Sequence, residues 1–352
     1  MKKKIKIGII GVGSISNVHI QSYQKIDSVE IAAFCDINEK QLKHMMDKYH
    51  VKNGYTSVEE MLDQEELDAV SVCTWNSGHA ECSIAALNHG VNVLCEKPMA
   101  MNAEEALRMK QAAEKNGKLL MVGLVRRFGD DIQILRDLNQ NKFFGDIYYV
   151  KSKYLRRSGS PGGWFSDKKR SGGGPLIDLG VHILDMMNYL LDCEEPVSVY
   201  GYTFDQIGDQ VQIKKNAGYV SSTASSNIYD VEDFAGAVIR FSNNKIAVLE
   251  TSYNLFIEHD SEGLELYGSE GGAKIDDGIT LTNNVCDYMA NNRLLIDSKF
   301  DFHKAFLKEI QHYINCITDK TECNANADDG IRNMKILDAV YQSAKVGHEV
   351  II

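Results

Sequence analysis

Near the start of the chain an apolar run, Ile5-Lys6-Ile7-Gly8-Ile9-Ile10, passes without a break into Gly11-Val12-Gly13-Ser14-Ile15-Ser16. The run is rich in β-branched residues and reads as a buried strand. Ser14–Lys25 reads as a helix. Few folds join a strand to a helix through two closely spaced glycines, and the first βα turn of a dinucleotide-binding sheet is the one that needs them. Gly11 allows the tight turn. Gly13 lets a pyrophosphate approach the backbone. Ser14 and Ile15 open the helix, whose free amides and dipole favour an anion. Ser16 replaces the third glycine of the usual pattern and is small enough for close helix–strand packing. The next apolar run, Val29–Cys35, ends in Asp36, about 20 residues past the glycines, where a carboxylate binds the adenosine ribose hydroxyls.

Strand and helix patterns keep alternating to about residue 123. Asn38–Tyr49 has helical spacing, Asp68–Cys73 is a strand, and Ser77–His89 is a helix that stops at Gly90. Val91–Cys95 is a strand. Asn102–Asn116 is a helix with Asn102 as N-cap, Glu105 at N3 and Gly117 as C-cap. Leu119–Val122 is a strand. Such alternation predicts a parallel, doubly wound sheet with ligands at the carboxyl ends of its strands. The polar residues just past those ends are therefore the candidates: Thr74, Asn76 and His79 after one strand, Glu96 and Lys97 after the next, and Arg126 after the last.

Near Phe128 the pattern changes. Asp130–Asn141 reads as a helix and Ile147–Arg157 as a long strand. From residue 196 the signals are mainly strands: Val197–Phe204, Asp233–Phe241, Lys245–Tyr253, Gly263–Tyr267 and Ala273–Ile275. Short turns between sequential strands predict a largely antiparallel sheet. Two amphipathic helices, Phe302–Thr318 and Asp328–Val346, close the chain. The expected fold is α/β: a Rossmann domain over 1–124, then an α+β domain over 125–352 with a large, mostly antiparallel, open-faced sheet.

Within the second domain, Gly172-Gly173-Gly174-Pro175 precedes a helix that is apolar on nearly every side. Pro175 suits its first turn. Asp178, His182 and Asp185 fall at i, i+4 and i+7, a polar row on a buried helix. Such a row has to be hydrogen-bonded or functional. An Asp one turn before a His can orient the imidazole, and the triple glycine suggests a place where a ligand approaches the backbone. Asp185 reads as a structural anchor.

Gly11-x-Gly13-x-x-Ser16, Thr74-x-Asn76-x-x-His79 and Glu96-Lys97-Pro98, in that order and at the ends of the right strands, resemble the glucose–fructose oxidoreductase / inositol dehydrogenase (Gfo/Idh/MocA) family. The Asp178/His182 helix resembles that family's second signature, and the likeness covers nearly the whole chain. Trp75 stands where the family usually has proline. The resemblance implies an NAD(P)-dependent oxidoreductase acting on a secondary alcohol of a sugar, glycoside or cyclitol. It implies that Lys97 contacts the reacting hydroxyl and the nicotinamide ribose, that the Lys97–Pro98 peptide is cis, and that Asn76 and His79 line the nicotinamide side. It further implies His182 as the acid–base residue and Asp178 as a substrate ligand. It also implies a homodimer or homotetramer assembled through the open sheet.

The other expectations come from composition. Lys and Arg number 38 against 49 Asp and Glu, a net charge of −11 over 352 residues, which disfavours nucleic acid as a partner. No apolar run approaches membrane-spanning length. The start Met1-Lys2-Lys3-Lys4 has no detached apolar core, so no signal peptide is expected and the location is expected to be cytoplasmic. Eight cysteines (35, 73, 82, 95, 193, 286, 316 and 323) form no CxxC pair, so neither a disulfide framework nor a zinc site is expected. Asp36 repels a 2′-phosphate, which favours NAD, although Lys40 leaves NADP possible. Trp164 and Arg126 are the preferred rim residues for substrate, ahead of Arg156, Arg157 and Lys169. Two alternatives stand beside the dehydrogenase: a non-catalytic NAD(P)-binding redox sensor, and an enzyme that recycles bound NAD while cleaving a glycoside.

Overall fold

The computed structural model describes residues 4–208 and 228–352. Residues 1–3, part of the stretch read for a signal peptide, lie outside them. The chain divides into two compact units. One comprises Met1–Val125 with His303–Met334, the other Arg126–Phe302 with Lys335–Ile352.

The first unit is built on a six-stranded parallel sheet. Its strands are β1 (Ile5–Ile10), β2 (Val29–Cys35), β3 (Asn53–Tyr55), β4 (Ala69–Val72), β5 (Asn92–Glu96) and β6 (Leu120–Gly123), in the order β3-β2-β1-β4-β5-β6. This is the doubly wound order, with the switch point between β1 and β4. The connecting helices are α1 (Ser16–Tyr23), α2 (Glu39–Tyr49), α3 (Val58–Gln64), α4 (Asn76–Asn88) and α5 (Ala103–Asn116). The strands are buried because their residues are apolar on both faces: Ile7, Ile9, Val70, Val72, Val93 and Leu94 have no exposed surface. The caps of α5 are those expected. The Asn102 side chain accepts from Glu105 N–H, and Gly117 ends the helix at φ 60°.

The second unit holds α6 (Asp130–Gln140), β7 (Ile147–Leu155), a short α7 (Lys168–Ser171), α8 (Val181–Leu190) and β8 (Pro196–Phe204). Then follow β9 (Phe234–Phe241), β10 (Ile246–Ser252), β11 (Ser261–Gly268), β12 (Gly271–Asp276), β13 (Gly278–Val285) and β14 (Tyr288–Arg293). With β15 (Val350–Ile351) they form a nine-stranded sheet, β14-β13-β12-β11-β7-β10-β9-β8-β15, antiparallel throughout except where β10 runs parallel to β7.

Sequence reasoning missed six of these elements, among them α7 and β15, which are four and two residues long. β3 and α3 are three and seven residues long, too short to show a period. β13 and β14 form a largely exposed hairpin rich in Asn, a residue depleted from strands. Its turn, Cys286-Asp287, takes positive φ at both residues, as a two-residue hairpin turn requires, without the usual Asn-Gly signal.

The domain boundary at 124 lies close to the observed division, but the assignment of all of 125–352 to the second domain needs correction. The helix α9 (Phe302–Thr318) belongs to the first unit from His303 onward, and so does the start of α10 (Ala327–Val346). Tyr313 Oη donates to the Val70 carbonyl at 3.3 Å, and Phe306 meets the His19 ring edge-on at 5.5 Å. Amphipathic spacing shows that a helix has a buried face but not which sheet covers it. Phe306, Ile310 and Tyr313 are buried at 2%, 0% and 0% exposure. A fragment ending at Val125 is therefore expected to lose cooperative thermal unfolding, whereas 1–125 joined by a linker to 303–334 is expected to keep it. Circular dichroism melting distinguishes the two outcomes.

Candidate active site

At the carboxyl end of β1, Gly11 takes φ +84°, and a Cβ there would lie 2.7 Å from the Cys73 backbone. Only glycine fits both the dihedral and the space. The next amide, Val12 N–H, donates to Asp36 Oδ2 at 2.8 Å, while Asp36 Oδ1 accepts from Asn38 N–H at 2.8 Å. Gln41 Nε2 donates to the Val12 carbonyl at 2.8 Å. The turn at Gly11-Val12, Asp36 and the start of α2 thus form one hydrogen-bonded unit. The helix α1 begins at Ser16, not Ser14, with Ile15 as its uncapped N-cap residue. Ser16 is fully buried, and its Oγ donates to the Gly13 carbonyl at 2.8 Å. Ser14 and Ile15 are half-buried in the turn itself.

Lys97 follows the last residue of β5, is half-buried, and precedes Pro98 through a cis peptide. The surroundings of that peptide are held from two sides. Glu96 is buried, accepts from Lys97 N–H at 3.2 Å, and pairs through Oε1 with His19 Nε2 at 2.8 Å. The other nitrogen of His19 lies 3.2 Å from Ser71 Oγ, which is itself 2.8 Å from Tyr23 Oη. His79 is 1% exposed; its Nδ1 lies 2.7 Å from the Pro98 carbonyl and its Nε2 3.2 Å from the Thr74 carbonyl. Burial holds the His79 imidazole below its ordinary pKa, against the pull of the Pro98 carbonyl. His79 therefore fastens the Lys97–Pro98 turn to the Thr74 loop. Thr74 is half-buried with Oγ1 3.1 Å from the Trp75 carbonyl, and Asn76 is buried at the start of α4.

In the second unit the helix expected from Pro175 is present, with a π-helical first turn, Leu176–Gly180, that runs directly into α8. Its first amides are taken by a residue that sequence reasoning missed. Buried Glu232 accepts from Gly174 N–H at 3.0 Å, from Leu176 N–H at 3.1 Å and from Tyr341 Oη at 2.9 Å. Burial pushes the Glu232 carboxyl above the usual range, against those donors. The triple glycine needs correction in the same way: Cβ atoms at Gly173 and Gly174 would collide with Tyr341 and with the Glu232 backbone. The glycines make room for protein, not for a ligand.

Asp178 is 8% exposed and accepts from Tyr253 Oη at 2.8 Å. Tyr253 is fully buried, and burial followed by the adjacent Asp178 charge raises its pKa well above the ordinary value, so it stays a donor. His182 is half-buried in the first turn of α8. Asp185 is the anchor expected: it takes both Oδ atoms to Arg127, at 2.9 Å from Nε and 2.8 Å from Nη2, with both side chains almost fully buried. Of the rim candidates, Arg126 is tied down: it pairs with Asp131 at 2.8 Å and Glu262 at 3.5 Å and covers the Phe300 ring at 3.9 Å. Trp164 is half-buried and stacks on Phe165.

The first unit fits a dinucleotide on its own geometry. It offers a glycine turn at positive φ, an uncapped helix start, an acid bound to that turn, and an exposed Ile37 beside the acid for a planar base. This defines a dinucleotide-binding unit. Residues 5–124 match the model described as "Oxidoreductase family, NAD-binding Rossmann fold", and 132–274 match "GFO/IDH/MocA C-terminal domain". The chain belongs to the GFO/IDH/MocA oxidoreductase family. It is 34% identical over 349 residues, 98% of this chain and 97% of the other, to D-glucoside 3-dehydrogenase of Escherichia coli (strain K12). It is 25% identical over 328 residues, covering 93% and 92%, to myo-inositol 2-dehydrogenase of Thermotoga maritima. Among solved structures, levoglucosan dehydrogenase in complex with NADH and levoglucosan superposes with TM-score 0.86 at 20% identity, over 99% of this chain and all of that one.

Two predictions follow from the buried contacts. Asp185→Ala removes both carboxylate acceptors from the buried Arg127 guanidinium and is expected to cost about 3–5 kcal/mol in urea unfolding. Because the folded state disfavours charged His79, the stability this contributes is complete above its ordinary value of 6.5 and is lost as pH falls below it. The acid limb of a stability–pH profile should therefore be shallower in His79→Gln than in the parent protein.

Proposed function

We propose that this protein oxidises a secondary alcohol of a sugar, glycoside or cyclitol to the ketone with NAD, and that Lys97, His182 and Asp178 carry the reaction. The observation that carries the reading is the pair of anchored reactive segments: Lys97 on a turn fixed by Glu96 and His79, and Asp178 and His182 on a helix fixed by Glu232. NAD when bound supplies the hydride acceptor. His182 takes the hydroxyl proton, since imidazole exchanges protons near neutral pH. Lys97 donates a hydrogen bond to the same oxygen and stabilises the negative charge that develops there. Asp178, oriented by Tyr253, accepts from a neighbouring substrate hydroxyl and so sets which carbon reacts. Asn76 belongs to the nicotinamide side of the site. His79 acts through the Pro98 carbonyl. Trp164 and Arg126 belong to the substrate rim, with Arg126 positioned by Asp131.

The full-length relationship to a D-glucoside 3-dehydrogenase makes D-glucosides the first substrates to try, ahead of inositols. Asp36, held against the glycine turn, disfavours a 2′-phosphate and supports NAD over NADP. Assembly through the open face of the nine-stranded sheet is part of the proposal. Exposed Tyr148, Val197, Tyr200 and Val238 on β7, β8 and β9 support it.

The test is a screen of glucosides, free sugars and cyclitols with NAD, read as NADH formation. Lys97→Ala and His182→Ala are each expected to lower kcat by about 10²–10⁴-fold on the best substrate, with the fold retained. Near-parental turnover in both variants would overturn the assignment. Stoichiometric cofactor that resists dialysis, with no net NADH, would favour the NAD-recycling alternative. Titration should show NAD binding more tightly than NADP, and Asp36→Ala should narrow the difference.

A further inference from the structure

The first unit gathers three metal-ligating side chains that the proposed reaction does not use. His312 and Cys316 stand one turn apart near the end of α9, and Cys323 lies in the connector between α9 and α10. One ligand atom from each lies within 4.8 Å of the other two, and Cys316 Sγ is 3.4 Å from His312 Nε2. A tetrahedral zinc ion, with Zn–S about 2.3 Å and Zn–N about 2.0–2.1 Å, separates sulfur from nitrogen by roughly 3.6 Å and sulfur from sulfur by roughly 3.8 Å. The three atoms thus need only small rotations to enclose an ion. We propose that His312, Cys316 and Cys323 form a structural zinc site, with water as the fourth ligand.

Two further observations fit this. The Asn324 amide donates to His312 Nε2 at 2.9 Å, which marks that nitrogen as the bearer of the lone pair and turns it toward the cluster. Metal binding exchanges this hydrogen bond for a coordinate bond. The second is access: all three residues are half-buried, so an ion can enter from water. As the Zn–S bonds form, each thiol releases its proton to solvent, so affinity rises with pH. The site also has a structural purpose. The connector that carries Cys323 lies along β6, where Val122 N–H donates to the Ala325 carbonyl at 2.9 Å. Zinc would tie that strip to α9. The cysteine spacing gave no hint, because the pattern is His-x3-Cys-x6-Cys with no CxxC pair.

The experiment uses the full chain, purified under reducing conditions, stripped with a chelator and titrated with zinc chloride against a chromophoric chelator. The expected result is one zinc per chain at sub-micromolar affinity, tighter at higher pH, with a raised thermal midpoint. Cobalt(II) should give a thiolate charge-transfer band. Cys316→Ser and Cys323→Ser should each weaken zinc binding by about 100-fold or more and abolish the band, and His312→Gln should weaken it at least about tenfold. Circular dichroism of the metal-free variants checks folding. If a variant fails to fold, alkylation of the two thiols in the folded parent protein must remove zinc binding instead. The proposal falls if zinc binds no tighter than it does to exposed single histidines, or if the variants bind it unchanged. None of these readouts depends on turnover, so the result is separate from the proposed dehydrogenase reaction.

Discussion

A carboxylate taken out of water must find donors, and in this protein several acids find theirs in the backbone of the glycine turn and of the segments that carry Lys97, Asp178 and His182. Asp36 accepts from the amide inside the glycine turn. Glu96 accepts from Lys97 N–H and is matched on its other side by His19. Glu232 accepts from the two amides that start the helix bearing Asp178 and His182. Each contact ties an acid to a backbone segment, and for buried Glu96 and Glu232 its loss would leave a buried acid short of a donor. Each therefore fixes a backbone segment more firmly than loop sequence alone could. The same requirement accounts for Arg127 and Asp185, whose bidentate pair secures α8 without touching the chemistry.

This arrangement separates anchoring from reactivity. Tyr253 and Asp178 illustrate it: the phenol is buried and kept protonated, so it orients the carboxylate as a donor. His79 is a similar case. An imidazole fastened to the Pro98 carbonyl and kept from charging is well suited to hold a turn and poorly suited to exchange protons. Of the two histidines singled out for the site, His79 is buried and His182 half-buried.

What the sequence made legible was local. The glycine turn, Asp36, the capped α5 and the Lys97–Pro98 turn each rest on neighbours within a few residues or on a pattern repeated along one element. What it hid was the partner across the fold. His19 lies 77 residues from Glu96, Glu232 lies 58 from Gly174, and Tyr253 lies 75 from Asp178. Nothing in the spacing of a His or a Tyr states which distant carboxylate it will meet. Asp185 was legible as an anchor because a charge on an apolar helix demands a partner, but the choice of Arg127 over its neighbour Arg126 was not. The triple glycine misled for the same reason. Its need for space was evident, and what filled the space was not.

The return of residues 303–334 to the first unit follows from an edge. In the order β3-β2-β1-β4-β5-β6 the strand β6 has one side without a sheet partner. An uncovered edge of that kind invites pairing with another chain. Here the connector after α9 covers it, through the Val122–Ala325 hydrogen bond and a bridge between Met121 and Asn326. At the following turn Gly330 packs so closely on Met99 that a side chain would collide with it. The effect reaches the site, because β6 ends at Gly123, where even a Cβ would come within 3.2 Å of the Glu96 Cα. Covering the edge holds β6 against β5, and β5 ends in the carboxylate that grips the Lys97 amide. A segment about 200 residues away along the chain thus helps to set the position of the residue on which the proposed chemistry turns.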